Sequence, residues 1–156
     1  MQGRTYVATF NNVAISAAQD LFSLANGASH IMALNRITLG QIGQTAVANI
    51  RLRVYRLTSP TVGSGGTTVA GNALVGGDAA ASCSVRANDT TQATGAATIP
   101  VHGEVWNTPG GFVWIPTNVN RAPVSQVSQL FVCSLDAAPS PTLSGVNGTI
   151  EWEEVG

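Results

Sequence analysis

Apolar and polar residues alternate with a period of two along many short runs of this chain. No window of a dozen residues carries the i, i+3, i+4 apolar stripe of an amphipathic helix. The run 47–57 is the clearest example, because its two faces differ in character. Ile50, Leu52 and Val54 lie on one face, and Arg51, Arg53 and Tyr55 lie on the other. The alternation predicts an all-β protein in which one strand face is core and the other is wet or interfacial.

Ten such runs are predicted to be strands: 4–10, 19–24, 31–42, 47–57, 82–87, 99–106, 112–115, 129–135, 143–146 and 149–153. Asn26-Gly27 predicts a turn, and Asn147-Gly148 predicts a hairpin joining the last two runs, since both residues of such a pair tolerate positive φ. Two segments rich in glycine and small polar residues, 59–77 and 88–97, predict long exposed loops.

About eight to ten short strands in a 156-residue chain predict one domain over residues 1–156. The expected fold is a jelly-roll-like, two-sheet antiparallel sandwich with the two glycine-rich loops at its ends. An immunoglobulin-like sandwich is the less favoured alternative, because the strands are too numerous and the Cys-Trp-Cys spacing is missing.

The charge balance constrains the partners of the chain. The formal net charge is −1, and all seven basic residues are arginine. A weakly charged surface repels neighbouring copies little, which favours a subunit of an assembly, and arginine suits protein interfaces. The near-neutral charge argues against nucleic-acid binding, and no apolar run is long enough to span a bilayer. The start of the sequence lacks the pattern of a signal peptide, so we expect a cytosolic site of synthesis.

A search for catalytic or cofactor-binding patterns gives a negative expectation. His30 and His102 stand alone, Ser64 lies in a glycine-rich segment without a nucleophile-elbow or P-loop pattern, and no carboxylate pair can be selected. Cys83 and Cys133 are expected to be buried free thiols, although a bridge between facing strands stays open. We therefore expect no enzyme activity, no cofactor and no metal.

The candidate contact residues are charged side chains on predicted strands: Arg36, Arg51, Arg53, Arg56, Glu151 and Glu153. The arginines are hypothesised to share one polar sheet face, which could be a subunit interface or a solvated surface. Trp106 and Trp114 flank a Pro-Gly-Gly turn, where exposed aromatic rings can stack on sugars, although core packing is the stronger interpretation.

Several segments occur in an order and spacing that resemble a family of tailed-bacteriophage virion proteins. They are Asp20-Leu21-Phe22, Ile37-Thr38-Leu39-Gly40-Gln41, the run 50–56, Gly63-Ser64-Gly65-Gly66, Trp114-Ile115-Pro116, Arg121-Ala122-Pro123 and the ending 149–154. The resemblance spans nearly the whole chain but contains no single diagnostic motif.

What the resemblance implies is a small jelly-roll structural protein of the phage particle, most simply a capsid decoration, or cement, protein on the exterior of the head, assembled in the host cytoplasm. Its partners would be the major capsid protein and other copies of itself, with a trimer favoured. A carbohydrate- or receptor-binding module of a fibre or tail is the alternative, and the tryptophans and loop-rich ends motivate it.

Overall fold

A computed structural model describes residues 3–43, 47–117 and 122–156. The described residues form twelve strands and one short 3-10 turn, Thr108–Gly110. The strands are β1 (Arg4–Ile15), β2 (Asp20–Ala25), β3 (Ile31–Gln41), β4 (Asn49–Thr58), β5 (Thr67–Val69), β6 (Asn72–Ala73), β7 (Ser84–Asp89), β8 (Ala97–Asn107), β9 (Phe112–Trp114), β10 (Val124–Ser125), β11 (Gln129–Leu135) and β12 (Leu143–Val155).

The strands form two six-stranded antiparallel sheets. Sheet I has the order β10-β3-β12-β1-β6, with β9 also paired to β3, and sheet II has the order β5-β7-β2-β11-β4-β8. When β5–β7 and β10 are set aside, eight strands remain, in the jelly-roll order. In sheet I they are β9, β3, β12 and β1, and they face β8, β4, β11 and β2 of sheet II in that order. The all-β, jelly-roll-like sandwich predicted from the alternation is confirmed.

The strands β5–β7 widen the sandwich on one side only. β6 pairs with β1 at the border of sheet I, and β7 with β5 extends sheet II beyond β2. On the opposite side, β8 is the last strand of sheet II, and β9 and β10 lie end to end along β3. The molecule therefore has one broadened edge and one edge where β8, β9 and β10 are outermost.

Large side chains from the inner faces of both sheets fill the core. Trp152 of β12 is fully buried and stacks on Tyr6 of β1 at 5.8 Å between ring centroids, while Phe10 and Phe22 pack across the two sheets at 5.0 Å. Aromatic contacts of this kind add about 0.5–1.5 kcal/mol each beyond the area they bury. This core fixes which strand faces point outward.

The predicted hairpin at Asn147-Gly148 is wrong, because β12 runs unbroken from Leu143 to Val155. Gly148 lies opposite Phe10, and a Cβ at this position would be 2.6 Å from Cζ of Phe10 and 3.0 Å from Cε2 of Phe22. The Asn147 side chain accepts a hydrogen bond from the backbone N–H of Asn12 at 2.9 Å. Gly148 thus allows the close approach of the phenylalanine rings, and Asn147 stabilises a bulge in β1, whereas the sequence suggested a turn at this pair.

The predicted loops 59–77 and 88–97 are largely paired with each other or with the sheets. Thr61 bridges Thr94, Ser64 bridges Thr91, and β5 and β6 lie inside the first segment. A Cβ on Gly63 would approach the Thr91 carbonyl oxygen to 2.6 Å. The glycines therefore permit close contact between two backbones, whereas the sequence suggested an open flexible loop.

Candidate functional site

The six predicted contact residues do not lie on one surface. Arg36 and Glu151 face each other on β3 and β12, on the outer side of sheet I, with Nη2 of the arginine 3.2 Å from Oε1 of the glutamate. Glu153, on the same strand as Glu151, accepts a hydrogen bond from the backbone N–H of Gly3 at 2.7 Å. These side chains stabilise pairing within sheet I, and pairs of this partly exposed kind contribute about 0–1 kcal/mol.

Arg51 and Arg53 lie on the outer face of sheet II, on β4, and share a single carboxylate. Nε of Arg51 is 3.4 Å from Oδ2 of Asp136, and Arg53 pairs with Oδ1 of the same residue. The Arg53 guanidinium also lies over the Tyr55 ring, 5.4 Å from its centroid. Two guanidinium groups with one carboxylate leave one positive charge at this place on the sheet.

Arg56 is directed differently from the other arginines of β4. Its position opposite Phe131 and Ile99 places it on the inner side of sheet II, and its guanidinium donates to the carbonyl of Val124 in sheet I. It ties the two sheets together at one end of the sandwich. The hypothesis of one shared arginine face is therefore wrong, because Arg36 belongs to the opposite sheet and Arg56 to the space between the sheets.

The edge formed by β8 and β9 is open and partly apolar. Val105 of β8 is 60% exposed, Val113 of β9 is 66% exposed and Ile115 just beyond it is 57% exposed. The far side of β8 pairs with no described strand. Pro100 has no N–H, and the shift of register after Val54 makes a bulge in β8, so the edge is interrupted at its middle.

Three adjoining concavities form a groove around this edge, named here the β8 groove. The first, about 340 Å³, lies on sheet II between Arg53 and the segment 92–95; the second, about 390 Å³, extends from Arg53 to His102; the third, about 370 Å³, lies between His102 and Trp114. The first two concavities share Arg53 as a lining residue, and the second and third share Val101 and His102, so each adjoins the next. The described residues that line it include no aspartate or glutamate.

A buried carboxyl group holds the wall of this groove. Asp20 of β2 is 1% exposed, and its Oδ2 accepts a hydrogen bond from the backbone N–H of Ala93 at 2.7 Å. Burial raises the pKa of Asp20 to about 7; the hydrogen bond from Ala93 opposes this, and the nearby charge of Asp89 reinforces it. The sequence contains a signal for this group, an acidic residue at the head of an apolar run, but a single sequence does not show that the carboxyl group is buried.

Ala93 also closes a small apolar cluster on the outer face of sheet II. It packs with Tyr55, Leu57, Leu130 and Val132, all of which are at least nine-tenths buried. The segment 90–96 is held further by a hydrogen bond from the Gln92 side chain to the Leu135 carbonyl at 3.1 Å. The outer face of sheet II is therefore covered in part by its own chain.

The tryptophans separate into core and edge residues. Trp106 is 1% exposed and Trp152 is fully buried, so the core interpretation is confirmed for Trp106. Trp114 is half-buried in the β8 groove, with its ring 5.8 Å from that of His102. His102 is 3.2 Å from Oε2 of Glu104, and His30 contacts the Ser29 hydroxyl at 2.9 Å.

Cys83 and Cys133 are buried free thiols, as expected, and burial raises the pKa of each. In the part of the chain that the structure describes, no group of three metal-binding side chains lies together. No helix among the described residues is long and apolar enough to cross a bilayer. Arg121, which contributes to the resemblance, lies outside the described residues.

No protein-family model, curated protein or solved structure matches the chain.

Proposed function

We propose that this protein is a structural subunit of a bacteriophage virion, a decoration protein that binds the exterior of the head and bridges subunits of the major capsid protein. The observation that carries the proposal is the open β8–β9 edge with its exposed Val105, Val113 and Ile115. Exposed apolar side chains beside an unpaired strand edge of a weakly charged molecule favour contact with another protein.

The arginines supply less of this contact than the sequence suggested. Arg4, Arg36, Arg51, Arg53 and Arg86 each pair with an acidic residue of the same chain. Salt bridges made within the molecule reduce the charge available to a partner, which leaves exposed apolar side chains, those of the β8–β9 edge among them, as the principal source of binding energy. Burying a valine contributes about 1.5 kcal/mol or more, or roughly tenfold in affinity.

Addition of the purified protein to head shells assembled without it tests the proposal. We expect the protein to sediment with the shells and to raise the temperature at which they disrupt, since a bridging subunit must detach before neighbouring subunits separate. A protein that stays at the top of the gradient at every concentration contradicts the proposal. Light scattering after size exclusion measures whether the free protein is the homotrimer that the resemblance implies.

Matched variants identify the surface used. We expect Val105→Asp and Val113→Asp each to weaken shell binding at least about tenfold. Val75→Asp is the control, because Val75 is as exposed, at 61%, but lies beyond β6, at the opposite edge. Equal losses in all three variants would indicate a general effect of charge and would remove the edge from the proposal.

Trp114 supports a second candidate function, a carbohydrate- or receptor-binding module of a fibre or tail. Its half-buried ring in a cleft with His102 and Pro116 could stack on a sugar, whereas the buried Trp106 could not. A glycan array tests this function. Saturable binding that Trp114→Ala abolishes would support it, and an array without binding would exclude it.

A further inference from the structure

We propose that the β8 groove binds a short extended peptide segment that carries carboxylate side chains and belongs to a partner protein. The proposed function supplies only the source of that segment, which would be an arm or terminus of the shell subunit. The groove itself is inferred from the shape, charge and backbone of this chain.

The shape of the groove suits an extended chain. The three concavities follow β8 around the edge of the sandwich, from the segment 92–95 to Trp114. Gly103 lies at the middle, opposite Arg53 of β4, and a Cβ built on it would meet no atom closer than the Leu52 carbonyl oxygen at 4.0 Å. A side chain at this position would therefore project into the open space of the second concavity, which Gly103 lines.

The charge at the centre of the groove favours carboxylates. Arg51 and Arg53 line its centre and share the single carboxylate of Asp136, which is not a lining residue. Guanidinium groups form paired, charge-assisted hydrogen bonds with carboxylates, so the incompletely balanced pair can receive an acidic side chain. Val101 and Trp114, farther along, provide apolar contacts for the intervening residues of such a segment.

The backbone of β8 favours a short segment over a strand of a second copy. An unpaired edge can add a strand, but Pro100 and the bulge at Val101 interrupt the ladder near the middle of β8. A long strand of another subunit would lose hydrogen bonds at this place. A short segment can pair on one side of the interruption and place its side chains in the groove.

Fluorescence anisotropy with a labelled probe tests the proposal. The probe is an extended peptide of about eight residues in which glutamate alternates with valine, because alternate side chains of a strand point to the same side. We expect saturable binding, and we expect at least about tenfold weaker binding when glutamine replaces the glutamates or when the protein carries Arg53→Gln.

Gly103→Leu is the decisive variant, because the open space at Gly103 admits the side chain without displacing neighbours, and the new side chain would occupy part of the second concavity. Gly40→Leu is its matched control: Gly40 also lies in a strand with nothing within 4 Å of a Cβ, but on the outer face of sheet I. We expect Gly103→Leu to abolish probe binding and Gly40→Leu to preserve it, with both variants retaining the unfolding temperature of the parent within a few degrees.

Several results would overturn the inference: no saturable binding of the probe, equal binding of the glutamine peptide, or equal effects of the two leucine variants. Stronger binding of a single-stranded oligonucleotide of the same charge would assign the groove to another class of partner. Self-association of the parent protein that Gly103→Leu abolishes would assign it to a second copy. Probe binding by a protein that fails to bind shells would refute the decoration role and leave the groove in place.

Discussion

Asp20→Asn is expected to make the protein more stable at alkaline pH. A carboxyl group whose pKa is about 7 in the folded protein, against 3.8 as the reference value, binds its proton more tightly when folded. Below pH 3.8 Asp20 therefore does not reduce the free energy of unfolding. The reduction grows as the pH rises from there to about 7. A difference of about three between the two pKa values corresponds to a free energy of unfolding that is about 4 kcal/mol lower at pH 8.

Asparagine retains an oxygen that can accept the hydrogen bond from Ala93 but cannot ionise. The variant should therefore lack the decline in stability that Asp20 causes. Relative to the parent protein, its free energy of unfolding should rise by about 4 kcal/mol between pH 4 and pH 8, most of it below pH 7. The comparison is made at each pH, so other titrating groups largely cancel.

Urea unfolding at a series of pH values, followed by tryptophan fluorescence, measures this difference. Asp20→Ala separates the charge from the hydrogen bond, because it removes both. Asp20→Ala should show the same pH trend as Asp20→Asn but a lower free energy of unfolding than that variant at every pH. The reason is that the Ala93 N–H would lose its hydrogen-bond acceptor, at a cost of about 1–3 kcal/mol. A difference between parent and Asp20→Asn that does not change with pH would refute the reasoning.

Three further results are expected. Gly148→Ala should lower the free energy of unfolding by several kcal/mol in urea titrations, because the added Cβ overlaps the Phe10 ring. Burial alone would raise the pKa of Glu154, but the hydrogen bonds donated to it by neighbouring N–H groups, Cys83 among them, outweigh this and lower it. Glu154→Gln should therefore reduce stability at pH 7 by about 1–3 kcal/mol, with the deficit shrinking as the pH falls below 4.5. Cys133 should react with a thiol reagent only after unfolding, because the side chain is buried and burial raises its pKa. Labelling of Cys133 in the folded protein as fast as an exposed thiol would contradict this.

The sequence predicted the sheets well because alternation reports directly which side chains face the core. In β4, Ile50, Leu52 and Val54 are buried, as the pattern indicated. The alternation could not predict that Tyr55 would also be buried, since the segment that covers it comes from residues distant in sequence. A period of two identifies an outward face but does not show what covers it.

Two predictions based on glycine were wrong because packing, and not a turn, requires glycine at those positions. Asn147-Gly148 and the segment around Gly63 both have the composition of turns, yet each is a place where backbone approaches a ring or another backbone. A single sequence contains the residue type but not the neighbour that explains it. The prediction of one shared arginine face is wrong for a related reason, because alternation places Arg36 and Arg51 on outward faces without indicating that these belong to different sheets.

The segment 90–96, which covers part of the outer face of sheet II, connects the buried carboxyl group of Asp20 with the proposed groove. The segment 92–95 forms the first wall of the β8 groove, and the contact between Asp20 and Ala93 holds that segment against the sheet. An acceptor is needed at this place because a buried backbone N–H without one is costly, but an ionisable acceptor is not needed for stability. Above pH 7 ionisation strengthens the hydrogen bond from Ala93, but the greater cost of burying the charge should favour detachment of the segment from the sheet. Gly103 and Arg53, which lie on β8 and β4, keep their positions. Binding in the groove should therefore depend on pH through the segment 92–95 that forms its wall.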